Sequence, residues 1–151
     1  MLLIFFSNNE KILIAVIYRS PSADQMEFRN CFEKFMDKLA SLNTSYLVMG
    51  DFNIDLMNLV SSNQNRLDSN TLKFLECPLS HGLYPVCLVP SRITDTSYSL
   101  IDNIFSPESA VSTYVIPDDS SDHCILMADF LRYFPHNEKK STKRRDFGER
   151  N

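Results

Sequence analysis

The residues from Ile12 to Ile17 are apolar without a break. That is the pattern of a central strand buried on both faces, and a strand is expected over residues 11–19. Residues 1–6 form a second apolar run, joined to the first by the turn-forming Ser7-Asn8-Asn9-Glu10, which predicts two strands in succession. Pro21 closes the second strand. Ser22 and Gln25 have the spacing of a capping box and predict a helix start. The period then changes: Phe28, Phe32, Phe35, Met36, Leu39 and Leu42 recur at helical spacing, one buried stripe reaching Asn43. Tyr46 to Met49 predict a strand over 46–50, followed by a polar loop from Asn58 to Asn65. A second helix is expected near Asp68 or Ser69, carrying Leu72, Phe74 and Leu75. Pro78 should kink or end it, and His81-Gly82 reads as its C-cap, with no catalytic role for the imidazole. Beyond a loop containing Pro85, Pro90 and Ser91 come strands near 98–105, 111–116 and 124–130. Strands separated by helices early, then strands in succession, predict a layered α/β sandwich with a mixed sheet.

Composition adds bounds rather than chemistry. With 151 residues, 44% hydrophobic and 11% aromatic, the chain is long enough for one domain with a packed core. No apolar run approaches a membrane span, and the opening residues lack the basic flank of a signal peptide, so no membrane partner and an intracellular location, nuclear or cytoplasmic, are expected. Cys31, Cys77, Cys87 and Cys124 are scattered without zinc-type spacing and read as buried reduced thiols. Charge is uneven. Residues 138–151 hold six Lys and Arg against three Asp and Glu, a local +3 within a net −4, which leaves −7 on the rest. An acidic body is unlike that of a protein holding nucleic acid through a broad basic face and suits a site that gathers carboxylates around a metal. Residues 132–151 read as a basic, disordered tail or linker, with Lys139 to Arg145 a candidate nuclear-localisation segment.

The candidate chemistry lies in two short stretches. Asp51 and Asn53 follow the strand 46–50 two residues apart, so in extended backbone their side chains would point the same way from a strand end. Read alone, Asp-x-Asn is better explained as the cap of a strand-to-helix turn, and only the Ser-Asp-His stretch downstream tips the reading toward chemistry. Downstream, Ser121-Asp122-His123 sets an acid beside an imidazole at the start of an apolar run. Carboxylate, carboxamide and imidazole together supply what metal-assisted phosphodiester cleavage needs: an activated water and stabilisation of developing charge.

Five segments carry a resemblance: Ile17-Tyr18-Arg19-Ser20-Pro21, Gly50-Asp51-Phe52-Asn53, Pro90-Ser91-Arg92-Ile93-Thr94, Ser99 to Phe105, and Ser121-Asp122-His123. Their order resembles that of the endonuclease/exonuclease/phosphatase superfamily, closest to the apurinic/apyrimidinic-like endonuclease domain of non-LTR retrotransposons, over residues 1–131. The resemblance implies that Asp51 activates or orients water, that Asn53 and Tyr18 contact the phosphate, and that His123 handles a proton while Asp102 orients its ring. It further implies a metal role for Asp122 and a phosphate-contacting hydroxyl at Ser91. Ser121, Arg19 and Arg92 are expected to reach phosphate or DNA backbone.

The family fold is a four-layer α/β sandwich of two similar half-sheets. Its first half brings an Asn and a Glu, the Glu being the principal metal ligand. Nothing before Tyr18 matches them, since Asn8, Asn9 and Glu10 fall in a turn. The expectation is therefore the C-terminal portion of such a domain, its first half missing and one sheet face uncovered, open to self-association. The leading reading is a Mg²⁺-dependent DNA-nicking endonuclease of retrotransposon type, with Mn²⁺ as substitute ion and a reverse transcriptase domain as partner in a full-length element. The alternatives are a non-catalytic remnant of the same fold and a phosphatase for a small phosphate ester.

Overall fold

The computed structural model describes residues 2–7, 10–60, 68–107 and 112–129. The tail expected over 132–151, the turn residues Asn8 and Asn9, and most of the polar loop after Asn58 lie outside them. The elements run β1 (Leu2–Ser7), β2 (Glu10–Tyr18), α1 (Gln25–Ala40), β3 (Ser45–Asp51), a 3-10 turn (Met57–Leu59), α2 (Ser69–Ser80), β4 (Tyr84–Pro85), β5 (Arg92–Ile93), β6 (Tyr98–Ser99), β7 (Asp102–Ser106), β8 (Ser112–Ile116) and β9 (Ile125–Asp129). Five strands form one mixed sheet in the order β1-β2-β3-β7-β4, while β5-β6 and β8-β9 are separate two-stranded ribbons. The mixed α/β class agrees with the reading of the sequence.

One face of the main sheet is covered by both helices. Leu13 and Ala15 of β2, Val48 of β3 and Phe105 of β7 pack with Phe32, Met36 and Leu39 of α1 and Phe74 and Leu75 of α2. Phe52 lies between them, its ring 5.3 Å from both Phe74 and Phe105. Fully burying side chains of this size contributes about 1.5–3 kcal/mol each. Alternation along the strands sends Ile14, Leu47, Met49 and Ile104 to the other face, where Leu126 and Ala128 of β9 pack on them. The outer face of the β8-β9 ribbon, with Tyr114, Ile116, Ile125 and Met127, is exposed.

Several local expectations shift. Helix α1 is capped by Asp24, whose side chain accepts from the Glu27 N–H, rather than by Ser22, whose hydroxyl meets that of Ser20. It ends at Ala40, and Leu42 is exposed. Helix α2 starts as expected, with Asp68 accepting from the Asn70 and Thr71 N–H groups. Pro78 is tolerated in its last turn, and Leu72 faces solvent. His81 is the C-cap residue, its ring bonded to the Cys77 carbonyl and to Asp37. The strand expected over 98–105 is broken into β6 and β7 at Leu100 and Ile101. There the carbonyls of those two residues accept from the Leu56 and Phe52 N–H groups, and Asp55 accepts from the Leu100 N–H. All four cysteines are free thiols; Cys87 is buried but Cys31 is exposed, against the expectation of uniform burial. Among the described residues no helix is long and apolar enough to cross a membrane.

Candidate active site

The parallel pair β2-β3 ends where the antiparallel β7 begins, and this brings three polar residues into one row. Tyr18 pairs with Asp51, and Asp51 pairs with Asp102. Residues paired across a ladder project on the same face. Alternation places Asp51 and Asp102 on the face opposite the helices, in line with Met49 and Ile104. The close approach of β2 and β3 depends on Gly50: a Cβ there would lie 1.8 Å from the Ile17 carbonyl oxygen, and its φ is +147°.

The fourth group comes from the loop before β9. His123 Nδ1 lies 3.0 Å from Asp102 Oδ2. The loop is held against β5 and the residue before it by the Ile93 N–H on the Asp122 carbonyl and the Cys124 N–H on the Ser91 carbonyl. Ligand atoms of Asp51, Asp102 and His123 lie within 4.8 Å of one another, so these three side chains could hold a metal ion. The donor set fits a hard divalent cation: two carboxylates face each other at the strand ends, and their mutual repulsion would be relieved by a positive charge between them. Burial pushes the Asp102 carboxyl above the usual carboxylate range, the Ser91 hydroxyl and His123 pull it back, and the facing Asp51 raises it again.

Other residues singled out in the sequence sit differently. Asn53 lies beyond the end of β3 with φ +48°, so it does not project beside Asp51 as an extended i, i+2 pair. Its N–H donates to Asp51 Oδ1 and its carboxamide donates to the Arg19 carbonyl, which makes Asp51-x-Asn53 a turn that also positions Asp51. Arg19 is buried, not offered to DNA. Its guanidinium donates to the carbonyls of Phe52, Asn53 and Ala23, fastening the end of β2 to the turn after β3. Ser91 is also fully buried, and its hydroxyl is taken up inside the protein rather than free for phosphate. Asp122, expected at the metal, is instead paired with Arg92, Nε at 2.7 Å and Nη2 at 2.6 Å from the same oxygen. That guanidinium holds the Asp122 carboxyl below its usual range and is itself occupied. The Ser121 hydroxyl accepts from the His123 N–H, a turn contact that shapes the loop. Tyr18 is exposed at the head of the row.

Two residues without an assigned role prove to be organisers. Buried Asn103 accepts from the Cys87 N–H and donates to the Cys87 carbonyl, tying the segment after β4 to β7. Asp55 accepts from both the Met57 and Leu100 N–H groups. The sequence signal for Asn103 is a carboxamide beside the apolar Ile104 and Phe105, where burial demands a partner.

Two acids at the strand ends of a helix-backed mixed sheet, with an imidazole from the adjoining loop, form a candidate metal-binding cluster. Residues 12–127 match the family described as Endonuclease-reverse transcriptase, and the chain belongs to that family. No curated protein matches the chain. Among solved structures it is similar to the endonuclease domain of TRAS1, a telomere-specific non-LTR retrotransposon, with a TM-score of 0.65 and 16% identity. That match covers 85% of this chain and 62% of the TRAS1 domain. It is also similar to an endonuclease/exonuclease/phosphatase family protein from Leptotrichia buccalis C-1013-b, with a TM-score of 0.52 and 18% identity, over 84% of this chain and 52% of that one. The chain thus spans less than two thirds of either structure. The family supports nuclease-type hydrolysis of phosphate esters, and the shared fold accords with it.

Proposed function

We propose that this chain carries catalytic residues of a metal-dependent DNA-nicking endonuclease of retrotransposon type. The observation behind this is the cluster of Asp51, Asp102 and His123 at the strand ends, with Tyr18 beside it, in a chain of the Endonuclease-reverse transcriptase family. The carboxylates of Asp51 and Asp102 would hold Mg²⁺, or Mn²⁺ in its place. Such an ion, when bound, would supply a positive charge for the phosphate oxygens and lower the pKa of a bound water. Asp51 accepts the proton of the attacking water or orients it. Tyr18 offers its hydroxyl to a phosphate oxygen. His123, with Nδ1 on Asp102, uses its other ring nitrogen near the scissile phosphate. Asn53 and Arg19 act on DNA only indirectly, by fixing the turn that presents Asp51.

The substrate in this reading is duplex DNA, nicked in one strand to leave a 3′ hydroxyl for a reverse transcriptase domain of the full-length element. The exposed apolar face of β8-β9 supports self-association as well. The test is substitution at the cluster. Asp51→Asn and His123→Ala should each remove metal-dependent nicking while circular dichroism stays that of the wild type. Full activity in either variant would refute the assignment.

A further inference from the structure

The Ser91 hydroxyl makes three hydrogen bonds, and their directions are forced. The N–H groups of Ile101 and Asp102 donate to its oxygen, at 3.1 and 2.9 Å. A hydroxyl has two acceptor sites and one proton, so both acceptor sites are filled and the proton has one place left to go. That place is Asp102 Oδ2, 2.9 Å away. The same Oδ2 lies 3.0 Å from His123 Nδ1. Ser91 is completely buried, so no water competes for these positions. The backbone around it is held as well, because the Ser91 N–H donates to the Ser99 carbonyl and its own carbonyl accepts from Cys124, the residue after His123.

We propose that Ser91 is a positioning residue: its proton, aimed at Asp102 Oδ2, locks that carboxylate so that His123 is held as the Nδ1–H tautomer, with Nε2 left as the acceptor nitrogen of the neutral ring. One lone pair of Oδ2 receives Ser91 and the other receives the ring. Neither oxygen rotation nor a flipped imidazole preserves both bonds. Ser91 therefore acts on the reaction only through Asp102 and His123 and touches no substrate. The effect on cleavage rests on the proposed endonuclease reading; the effect on the imidazole does not.

The experiment is nitrogen-15 NMR of the His123 ring in the full chain, at a pH where the ring is neutral, for the wild type, Ser91→Ala, Ser91→Cys and Ser91→Thr. Thermal unfolding reports whether each variant folds. The wild type should show the Nδ1–H tautomer alone. Ser91→Ala should show a mixture of the two tautomers, and Ser91→Thr, which keeps the hydroxyl, should return the single form. Ser91→Cys retains nearly the same volume with a poorer donor, so it should also give a mixture and decides the matter if Ser91→Ala fails to fold. Where nicking is measurable, kcat should fall by about tenfold or more in Ser91→Ala at unchanged KM and recover in Ser91→Thr. A wild-type ring in the Nε2–H form, or folded Ala and Cys variants that keep the pure Nδ1–H form, would overturn the proposal. A chain that nicks no DNA but shows the tautomer shift would sink the endonuclease reading and leave this inference standing.

Discussion

Asp51 and Asp102 face each other across the β3-β7 ladder, an arrangement that like charges disfavour. Half-burial raises the Asp102 carboxyl above its ordinary value, and Asp51 adds to the rise. A carboxyl whose folded-state pKa is raised contributes stability below its ordinary value and loses it as pH rises through the folded one. Between those two pH values the wild type should therefore lose stability relative to an Asp51→Asn variant, which relieves the repulsion. Urea unfolding at a series of pH values measures this. A cation in the cluster would reverse the penalty, so Mg²⁺ should raise Tm at neutral pH, and less so in Asp51→Asn; differential scanning fluorimetry reads both. The motif segments named Asp102 and His123, which the fold brings to 3.0 Å. They did not reveal that Arg19 and Ser91 are buried or that Asp122 faces Arg92. A motif gives residue identity and order. Burial and partner depend on contacts between segments far apart in sequence, such as Arg19 with Phe52 and Asn53.

Elements were legible where a pattern was long or a cap was local. The β2 run, the α1 stripe and the Asp68 cap of α2 were all readable in advance, because period and capping chemistry act within a few residues. The start of α1 was misplaced because Ser22-x-x-Gln25 and Asp24-x-x-Glu27 both satisfy the same spacing, and only the second is used. The break at Leu100 and Ile101 was not readable, since it is imposed by Phe52, Asp55 and Leu56. Asp68→Ala should cost about 1 kcal/mol of stability at neutral pH through loss of the cap. The Thr71 hydroxyl and N–H hold the Asp68 carboxyl below its usual value, so this contribution is present above the ordinary carboxylate pKa and fades as pH falls through the lowered one. Chemical denaturation at pH 7 and in strong acid should show the difference between variant and wild type shrink. At the β2-β3 contact, Gly50→Ala forces a methyl group onto the Ile17 carbonyl and should separate the strands that carry Tyr18 and Asp51. A lower Tm and loss of any metal-induced stabilisation would report it.

At the scale of the whole molecule, the two faces of the sheet are unequal. The helix face is closed by a continuous aromatic core. The opposite face is covered in part by β9, and that ribbon shows Tyr114, Ile116, Ile125 and Met127 to solvent in two cross-strand pairs. Apolar pairs on an exposed ribbon favour association, so sedimentation velocity should show concentration-dependent oligomers, reduced in an Ile125→Glu, Met127→Lys double variant. The site lies at the end of this same face, with three of its groups on strand ends and the fourth on the loop leading into β9. We propose that this constellation cleaves phosphodiester bonds with a divalent cation. The most direct measurement is conversion of supercoiled plasmid to the open-circular form by the purified chain, with Mg²⁺, with EDTA, and beside His123→Ala. Nicking should require the ion and fall by on the order of a hundredfold or more in the variant. Folded wild-type protein that leaves the plasmid supercoiled, or nicking that persists unchanged in His123→Ala, would contradict it.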